Sequence, residues 1–459
     1  MSFGSKILKY QDEMLRDLAK LVAVPSVNAP ALEGMPFGKD CADVLQLILK
    51  MAEDMGLETK NVGNYAGHAE YGSGDEVAAV VTHVDVVPAG NGWETDPFVM
   101  TKKGNCWYGR GTADDKGAAI ATLYGLKVLK EEQVIGRRKI RAIFGSGEET
   151  GSNDLEMYFQ SERMPVMAFT PDSEYGICNR EKGMMRLDIS APQNASGVVV
   201  SFDAGTVINA VPARADAVLK CSAEQASALK WAAKTAAGEF QFEDTADGVK
   251  IISLGRASHA MQPQEGFNAA SHLVSLLAGV FSEAELGGFL TFLNRAVGTE
   301  TDGESIGVKC ADAESGPLTL NLGLLHIGVN GASAGIDIRY PVTLNGNDII
   351  GKIRTAVESA GFRMQLLAHN PPLFLPDGSK LIRLLQSAYA EIMGSPAELY
   401  ATGGGTYARE LKGNCVAFGL IFPDEPDRRL HNTNEHIDTE RFLQHAQICL
   451  EAMYRMLTA

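Results

Sequence analysis

An apolar run that ends in a histidine and an aspartate constrains this fold more than any other stretch. Val77 to Val81 is continuously apolar, which is typical of a strand covered on both faces of a parallel or mixed sheet. His83 and Asp85 follow two residues apart, so in extended backbone both side chains leave the same face. Such a pair also occurs in ordinary polar structure. At the C-terminal end of a buried strand, however, it marks the edge where open α/β sheets build their sites.

Two further predicted strands also end in carboxylates. The strand 139–144 is followed by Glu148 and Glu149, and the strand 166–169 is followed by Asp172. Three buried strands with this ending are poorly explained by chance, and they indicate one shared site.

A pair of adjacent aspartates stands behind a glycine-rich turn. Asp114 and Asp115 precede an apolar helix predicted over 116–130. One reading makes either aspartate the N-cap of that helix, which is a common arrangement. The other adds the pair to the same group of carboxylates.

A cluster of this kind indicates metal binding. Clustered carboxylates repel one another and are costly to desolvate unless a cation neutralises them. Histidine and carboxylate ligands without cysteine suit zinc, manganese or cobalt, and two ions that share a bridging carboxylate would absorb this much negative charge. Because Glu148 and Glu149 are adjacent, one is expected to bind metal while the other acts as a general base. A mononuclear or structural site stays open on this evidence.

The charge balance and the cysteines exclude several classes of protein. A net charge of −16 and a pI near 5.1 argue against nucleic acid or an anionic membrane as a partner, because both need a basic face. The seven cysteines are scattered and form no CxxC pair, which is typical of reduced thiols in a cytoplasmic protein. The N-terminal residues lack an apolar signal core, and no run is long enough to span a membrane.

Taken jointly, the motifs resemble the M20 family of co-catalytic metallopeptidases, and within it the PepV-like dipeptidases. The matching segments are Thr82-His83-Val84-Asp85, the stretch 109–117, Glu148-Glu149-Thr150-Gly151 and Pro171-Asp172. The resemblance implies that Asp114 bridges two metal ions and is followed by a cis peptide. It implies that His83 and Asp172 complete one metal site, and that Glu149 and a C-terminal histidine complete the other.

The same resemblance assigns roles to the two remaining carboxylates. Glu148 is implied to be the general base. Asp85 is implied to orient His83, as metal-bound histidines usually require.

The C-terminal ligand has three candidates among the histidines. His431 lies in the segment 429–436, which resembles the last ligand motif of the family, and we predict that it binds metal. His436 is predicted to be structural or exposed. His445 falls within the last helix, predicted over 439–457, where a surface or packing role is expected.

The length of 459 residues is too great for one hydrophobic core and predicts two or three domains. Between 183 and 371 strands alternate with helices, and none ends in a carboxylate cluster. We predict an α/β fold in which a mixed-sheet, zinc-peptidase-like catalytic domain, formed by 1–182 and 372–459, is interrupted by an inserted α+β lid domain, 183–371. The enlarged lid resembles that of PepV-like enzymes and implies a monomer.

Three lid positions match family motifs. His259 is implied to polarise the scissile carbonyl and to stabilise the oxyanion. Asn209 and Arg339 are implied to hold the C-terminal carboxylate of the substrate, a task that suits a planar guanidinium. Without the resemblance, each would be read as a turn residue or a surface ion pair.

A triple glycine, 403–405, precedes a helix in the second catalytic segment. No lysine follows in P-loop spacing, so a nucleotide phosphate is not expected. The resemblance makes this a substrate-binding loop, with Gly404, Gly405 and Thr406 near the ligand's carboxylate.

The sequence therefore predicts a metallohydrolase that cleaves dipeptides with two divalent ions, zinc in the first place and manganese or cobalt as alternatives. Glu148 would take the proton of the attacking water. A deacylase of N-acyl amino acids stays open as an alternative, and so does a peptide-binding protein without activity. The predicted partner is a small peptide substrate, with no nucleic acid and no membrane.

Overall fold

The computed structural model describes residues 2–191 and 197–459. The chain divides into two compact units, each with its own hydrophobic core. Unit 1 comprises Met1–Asn179, Phe374–Tyr400 and Gly405–Ala459, and unit 2 comprises Arg180–Leu373 and Ala401–Gly404. The short segment Ala401–Gly404 groups with unit 2 although unit 1 flanks it on both sides.

Unit 1 is built on a mixed sheet, as the sequence predicts. Its strands in spatial order are Glu58–Val62, Ala66–Gly72, Lys139–Gly145, Val77–His83, Met167–Thr170, Cys415–Ala417 and Ile177–Glu181. The four strands from Lys139–Gly145 to Cys415–Ala417 are parallel, and the outer strands pair antiparallel to them. In a parallel sheet the C-terminal strand ends lie at one edge, and here His83 is paired with Gly145.

The central strand Val77–His83 is buried at every position, which explains its continuous apolar run. The helix Lys116–Glu131 is buried over most of its length and packs against this sheet. The other helices of the unit are the 3₁₀ helices Gly4–Tyr10, Glu148–Thr150 and Tyr407–Leu411 and the α-helices Gln11–Val22, Lys39–Asp54, Asn153–Tyr158, Lys380–Met393 and Thr439–Thr458.

Short strands complete unit 1 next to its sheet edge. Thr101–Lys103, Cys106–Tyr108 and His436–Asp438 form one small sheet, and Ser173–Glu174 pairs with Leu420–Ile421. The pairing of His436–Asp438 with Cys106–Tyr108 brings the C-terminal segment beside the stretch that leads into Asp114. Two segments more than 300 residues apart are thereby joined.

Unit 2 is built on an antiparallel sheet. Its strands in spatial order are Glu239–Thr245, Gly248–Leu254, Arg214–Lys220, Val199–Ala204, Thr319–Gly328, Gly331–Tyr340, Gly183–Ala191 and Arg363–Asn370. Its helices are Ala223–Ala232, the 3₁₀ helix Pro263–Glu265, Ala269–Ala278, Glu283–Leu286, Gly288–Ala296 and Gly346–Ser359. The small hairpin Ala311–Asp312 with Gly316–Pro317 and the strands Leu373–Phe374 and Leu399–Thr402, which span unit limits, complete the elements.

Among the residues that the structure describes, no helix is both long enough and apolar enough to cross a lipid bilayer.

Candidate metal centre

The strand ends of unit 1 bring the predicted ligands together. His83 closes the strand Val77–His83, and Asp172 lies two residues beyond the strand Met167–Thr170. Glu148 and Glu149 open a short 3₁₀ helix beyond Lys139–Gly145. Because these strands are parallel neighbours, their ends meet at one edge of the sheet.

Asp114 lies at the centre of the cluster and offers one oxygen to each side. Its Oδ1 is 3.1 Å from His83 Nε2, and its Oδ2 is 3.0 Å from His431 Nε2. Asp172 Oδ2 lies 3.8 Å from His83 Nε2, and Glu149 Oε2 lies 3.2 Å from His431 Nε2. The side chains therefore form two sets that share one carboxylate.

Glu148 lies on the side of the cluster that holds His83. Ligand atoms of His83, Glu148 and Asp172 lie within 4.8 Å of one another, as do those of His83, Asp114 and Glu149. Glu148 can therefore reach whatever is held between His83 and Asp172.

The ring of His83 has a defined tautomer. Its Nδ1 lies 3.1 Å from the backbone carbonyl oxygen of Asp85, which can only accept, so Nδ1 carries a proton. In the neutral ring the lone pair is then on Nε2, which faces Asp114. The carboxylate of Asp85, predicted to orient His83, is farther from Nδ1, with Oδ1 at 3.4 Å.

The carboxylate of Asp85 has a second set of contacts that the sequence did not indicate. It accepts the backbone N–H groups of Glu148 at 3.3 Å and Glu149 at 3.2 Å. The side-chain amide of Asn28 donates to its Oδ2 at 2.9 Å, and Thr150 Oγ1 donates to Asn28 Oδ1 at 2.7 Å. Asp85 therefore contacts both His83 and the backbone that carries Glu148 and Glu149, and Asn28 holds the carboxylate of Asp85 in place.

Another buried carboxylate, Asp154, holds the turn before Glu148. It accepts the N–H groups of Ser146 at 2.8 Å and Gly147 at 2.9 Å, and the hydroxyl of Tyr407 donates to it. A Cβ at Gly145 would collide with that hydroxyl, so the position admits only glycine without rearrangement. Asp154 and Tyr407 thus fix the turn that leads into Glu148.

The aspartate after Asp114 has a structural contact instead of a helix cap. Asp115 occupies the N-cap position of Lys116–Glu131 but makes no side-chain cap bond there. Its Oδ2 accepts the backbone N–H of His83 at 3.3 Å. The Asp114–Asp115 peptide is cis, as the resemblance implies.

The electrostatics of the cluster require additional positive charge. Burial and the neighbouring Asp172 raise the pKa of Glu148 well above its usual value, and burial and Asp114 raise the pKa of Asp172 to about 7. Hydrogen bonds with Asp114 and Glu149 raise the pKa of His431 to about 11. Carboxylates and histidines take up protons in this way where no cation neutralises the carboxylates.

The donor set fits two divalent cations. It consists of imidazole nitrogens and carboxylate oxygens without a thiolate, which suits zinc, manganese or cobalt. Glu149 Oε1 is buried and has no hydrogen-bond partner among the described residues. A metal ion beside Glu149 would satisfy that atom and remove the repulsion, so the cluster fits a dinuclear centre.

The substrate-binding candidates are distributed over both units. Asn209, His259, Arg339 and Gly404 belong to unit 2, whereas Gly405 and Thr406 belong to unit 1. The N–H of Gly404 donates to Thr402 Oγ1 at 3.0 Å. Thr406 caps the 3₁₀ helix Tyr407–Leu411 by accepting the N–H of Ala408.

Within unit 2, His259 lies beside the backbone of Asn209. The N–H of Ala260 donates to the carbonyl of Asn209 at 3.0 Å. The N–H of Met261 donates to His259 Nδ1 at 3.1 Å, so in the neutral ring the proton is on Nε2. The exposed ring of His259 can therefore donate a hydrogen bond.

Arg339 is held rigidly inside unit 2. Its Nε and Nη2 donate to the buried Asp337 at 2.6 and 3.0 Å, and its Nη1 donates to the carbonyl of Gly403 at 2.7 Å. Arg186 Nε also donates to Asp337 at 3.2 Å. A guanidinium has five N–H groups. Asp337 and Gly403 accept three of them, and the other two have no partner among the described residues.

Two histidines that the sequence leaves outside the site have ordinary roles. His436 stacks on Tyr108 with ring centroids 4.9 Å apart. His445 is buried, and its Nδ1 forms a hydrogen bond with the hydroxyl of Tyr175 at 2.9 Å.

Comparison with known proteins agrees with this geometry. Residues 79–458 match the model of peptidase family M20/M25/M40. The protein named "Putative dipeptidase YtjP" of Bacillus subtilis (strain 168) is 34% identical over 470 residues, which cover 99% of this chain and 100% of that protein.

Solved structures show that the fold is shared at low identity. Human carnosine dipeptidase 1 has a TM-score of 0.57 and 14% identity over 99% of each chain. The M20 family metallo-carboxypeptidase Sso-CP2 from Sulfolobus solfataricus has a TM-score of 0.59 and 16% identity, over 97% of this chain and 100% of that one.

The family match spans most of the chain, and the sequence relative matches over its whole length. The M20 resemblance and the α/β fold class predicted from the motifs are confirmed. M20 peptidases are metal-dependent, which agrees with the donor set described above. The chain belongs to peptidase family M20/M25/M40.

Proposed function

We propose that this protein is a dipeptidase that uses two divalent metal ions, zinc in the first place and manganese or cobalt as alternatives. The observation that carries the proposal is the position of Asp114, whose two oxygens face His83 and His431 at 3.1 and 3.0 Å. His83, Asp172 and Asp114 would hold one ion. His431, Glu149 and Asp114 would hold the other.

Two bound ions would supply positive charge to the carboxylates and make water a nucleophile near neutral pH. Glu148 takes the proton of the attacking water at its carboxylate and returns it to the leaving amine nitrogen. Its position supports this role, because its backbone is tied to Asp85 and its carboxylate lies near Asp172.

The substrate-binding candidates named above would bind the peptide. His259 donates from Nε2 to the scissile carbonyl oxygen and stabilises the negative charge that develops there. Arg339 and Asn209 receive the C-terminal carboxylate of the substrate, with Gly404, Gly405 and Thr406 near it. The N–H groups of Arg339 that Asp337 and Gly403 leave unused support a charged hydrogen bond to that carboxylate.

Replacing Arg339 with lysine should raise KM for dipeptides by roughly 10- to 100-fold, with a smaller change in kcat. Lysine keeps the positive charge beside Asp337 but loses the planar fork, and hydrogen bonds to charged groups contribute about 1.5–3 kcal/mol. Steady-state kinetics with a dipeptide and its C-terminal amide check this. For the C-terminal amide, which lacks the carboxylate, the KM of Arg339→Lys should differ little from the KM of the wild type. Arg363→Lys, at an exposed edge-strand position, is the control, and equal losses for both substrates would contradict the role.

The experiment that tests the function is metal-dependent hydrolysis of a substrate panel. Protein freed of metal with a chelator should be inactive, and Zn, Mn or Co should restore hydrolysis of Ala-His and β-Ala-His. Turnover of N-acetyl amino acids alone would show a deacylase instead. Fewer than two bound ions, together with no hydrolysis in any metal, would contradict the dipeptidase and favour a peptide-binding protein without activity.

We also propose a cytoplasmic location and a monomeric state. The seven cysteines are free thiols, which supports a reducing compartment. The large unit 2 supports a chain that works without a partner subunit. Size-exclusion chromatography with light scattering measures the oligomeric state, and fractionation of the source cells measures the location.

A further inference from the structure

A buried glutamate, Glu435, accepts hydrogen bonds from the backbone of the loop that carries Asp114. Glu435 has no exposed surface and lies four residues beyond His431. Its carboxylate accepts the N–H groups of Gly111 at 3.1 Å, Ala113 at 2.9 Å and Asp114 at 3.1 Å. Three N–H groups of one loop therefore converge on one side chain that is more than 300 residues away.

Arg110 binds the same carboxylate from the other side. Its Nη1 donates to Glu435 Oε2 at 2.7 Å, and both side chains are buried. The N–H of Gly109 donates to the backbone carbonyl of Glu435 at 3.0 Å. Arg110 Nη2 donates to the carbonyl of Pro88 at 3.3 Å. The charge of Glu435 is thus paired, and the turn before Asp114 is wrapped around it.

The shape of this loop depends on the acceptor that Glu435 provides. Its N–H groups precede the helix Lys116–Glu131 and belong to no sheet ladder, so Glu435 supplies their acceptor. Gly111 has a φ of +86°, and a Cβ there would collide with Lys116 and Val86. Without the acceptor, buried N–H groups would be left unsatisfied, which costs about 1–3 kcal/mol each.

The same residue also fixes the segment that carries His431. His431 has a φ of +57° in an exposed stretch, so local backbone preference does not hold it in place. The strand His436–Asp438 and the buried Glu435 anchor that stretch at its C-terminal end. Asp114 and His431 therefore come together through Glu435.

We infer that Glu435, with Arg110, is a positioning residue that sets the metal affinity of the centre by fixing Asp114 relative to His431. This inference rests on the proposed function, in which Asp114 and His431 hold metal. Glu435 itself touches neither the substrate nor the ligand atoms. Its effect is transmitted through the backbone of Asp114.

The test compares Glu435→Gln with a matched variant, Glu451→Gln. Glu451 is also a buried carboxylate that accepts a backbone N–H, from Gly4 at 2.9 Å, and pairs with an arginine, Arg455 at 2.8 Å. Glutamine keeps the shape of Glu435 but presents an amide to N–H donors and leaves Arg110 unpaired. Supporting groups around metal ligands typically contribute 10- to 100-fold in metal affinity.

The measurement is competition for Zn²⁺ between the folded, metal-free protein and a chromophoric chelator, with circular dichroism as the check of folding. Glu435→Gln should bind Zn²⁺ about 10- to 100-fold more weakly than the wild type, and its Co²⁺ absorption spectrum should change. Glu451→Gln should lose stability but keep the wild-type metal affinity and Co²⁺ spectrum.

A second variant keeps the inference testable if Glu435→Gln does not fold. Arg110→Lys keeps a charge beside Glu435 and should weaken Zn²⁺ binding by a smaller factor. Wild-type Zn²⁺ affinity in either folded variant would overturn the inference while leaving the proposed function intact. If the wild type binds fewer than two ions, the proposed function fails first, and the inference fails with it.

Discussion

Replacing Glu148 with glutamine should lower kcat for dipeptides by about 10²- to 10⁴-fold, the range typical of a lost general base. Glutamine keeps the size of the side chain and its backbone contacts with Asp85, but it cannot take a proton from water. Metal content and the circular dichroism spectrum should stay unchanged. Steady-state kinetics with Ala-His, together with metal analysis of the purified variant, check the expectation.

The exposed Glu156, in the helix that follows, supplies the control. Glu156→Gln removes a charge from the same part of the chain and should retain full activity. If Glu148→Gln kept more than about a tenth of the wild-type kcat with both metals bound, Glu148 would not be the base. Loss of one metal would instead identify Glu148 as a ligand, because it lies within 4.8 Å of the His83 and Asp172 ligand atoms.

The framework of unit 1 can be predicted from the sequence because its core strands are buried on both faces. The continuous apolar run of Val77–His83 is a direct consequence of that burial. The edge strands of unit 2 are different. Glu239–Thr245 is largely exposed, with only Phe240 and Phe242 partly buried, so no apolar run predicts it. Arg363–Asn370, at the other edge, and the inner strand Arg214–Lys220 also lack a continuous apolar run, since one face of each is at least partly exposed.

The residues of the candidate site also differ in whether the local sequence indicates them. His83, Glu148, Glu149 and Asp172 were found because each follows the end of a buried strand, which is a local signal. Asn28, Asp154 and Glu435 were not assigned, since their contacts depend on which distant backbone they reach. Asn28 is 57 residues from Asp85, and Glu435 is 321 residues from Asp114. For Glu435 the one available signal was its place in the segment 429–436, next to His431.

Replacing Asp114 with asparagine should have the largest effect of any single change, because both proposed metal sites depend on this one carboxylate. Its oxygens face His83 and His431 separately, and an amide offers one oxygen and an NH₂ that binds no metal ion. Bound metal should fall from two ions to fewer than one per chain. Activity should fall further than in the Glu148 variant, beyond about 10⁴-fold.

Asp172→Asn is the comparison variant, since of the two histidines Asp172 approaches His83, with Oδ2 at 3.8 Å from its Nε2. It should lose one ion and keep the other, held by His431 and Glu149. Metal analysis and thermal unfolding with added Zn²⁺ separate the cases, because a ligand that binds only the folded state raises Tm. Zn²⁺ should raise Tm most in the wild type, less in Asp172→Asn and least in Asp114→Asn. Equal metal content in the two variants would mean that Asp114 serves one site and bridges nothing.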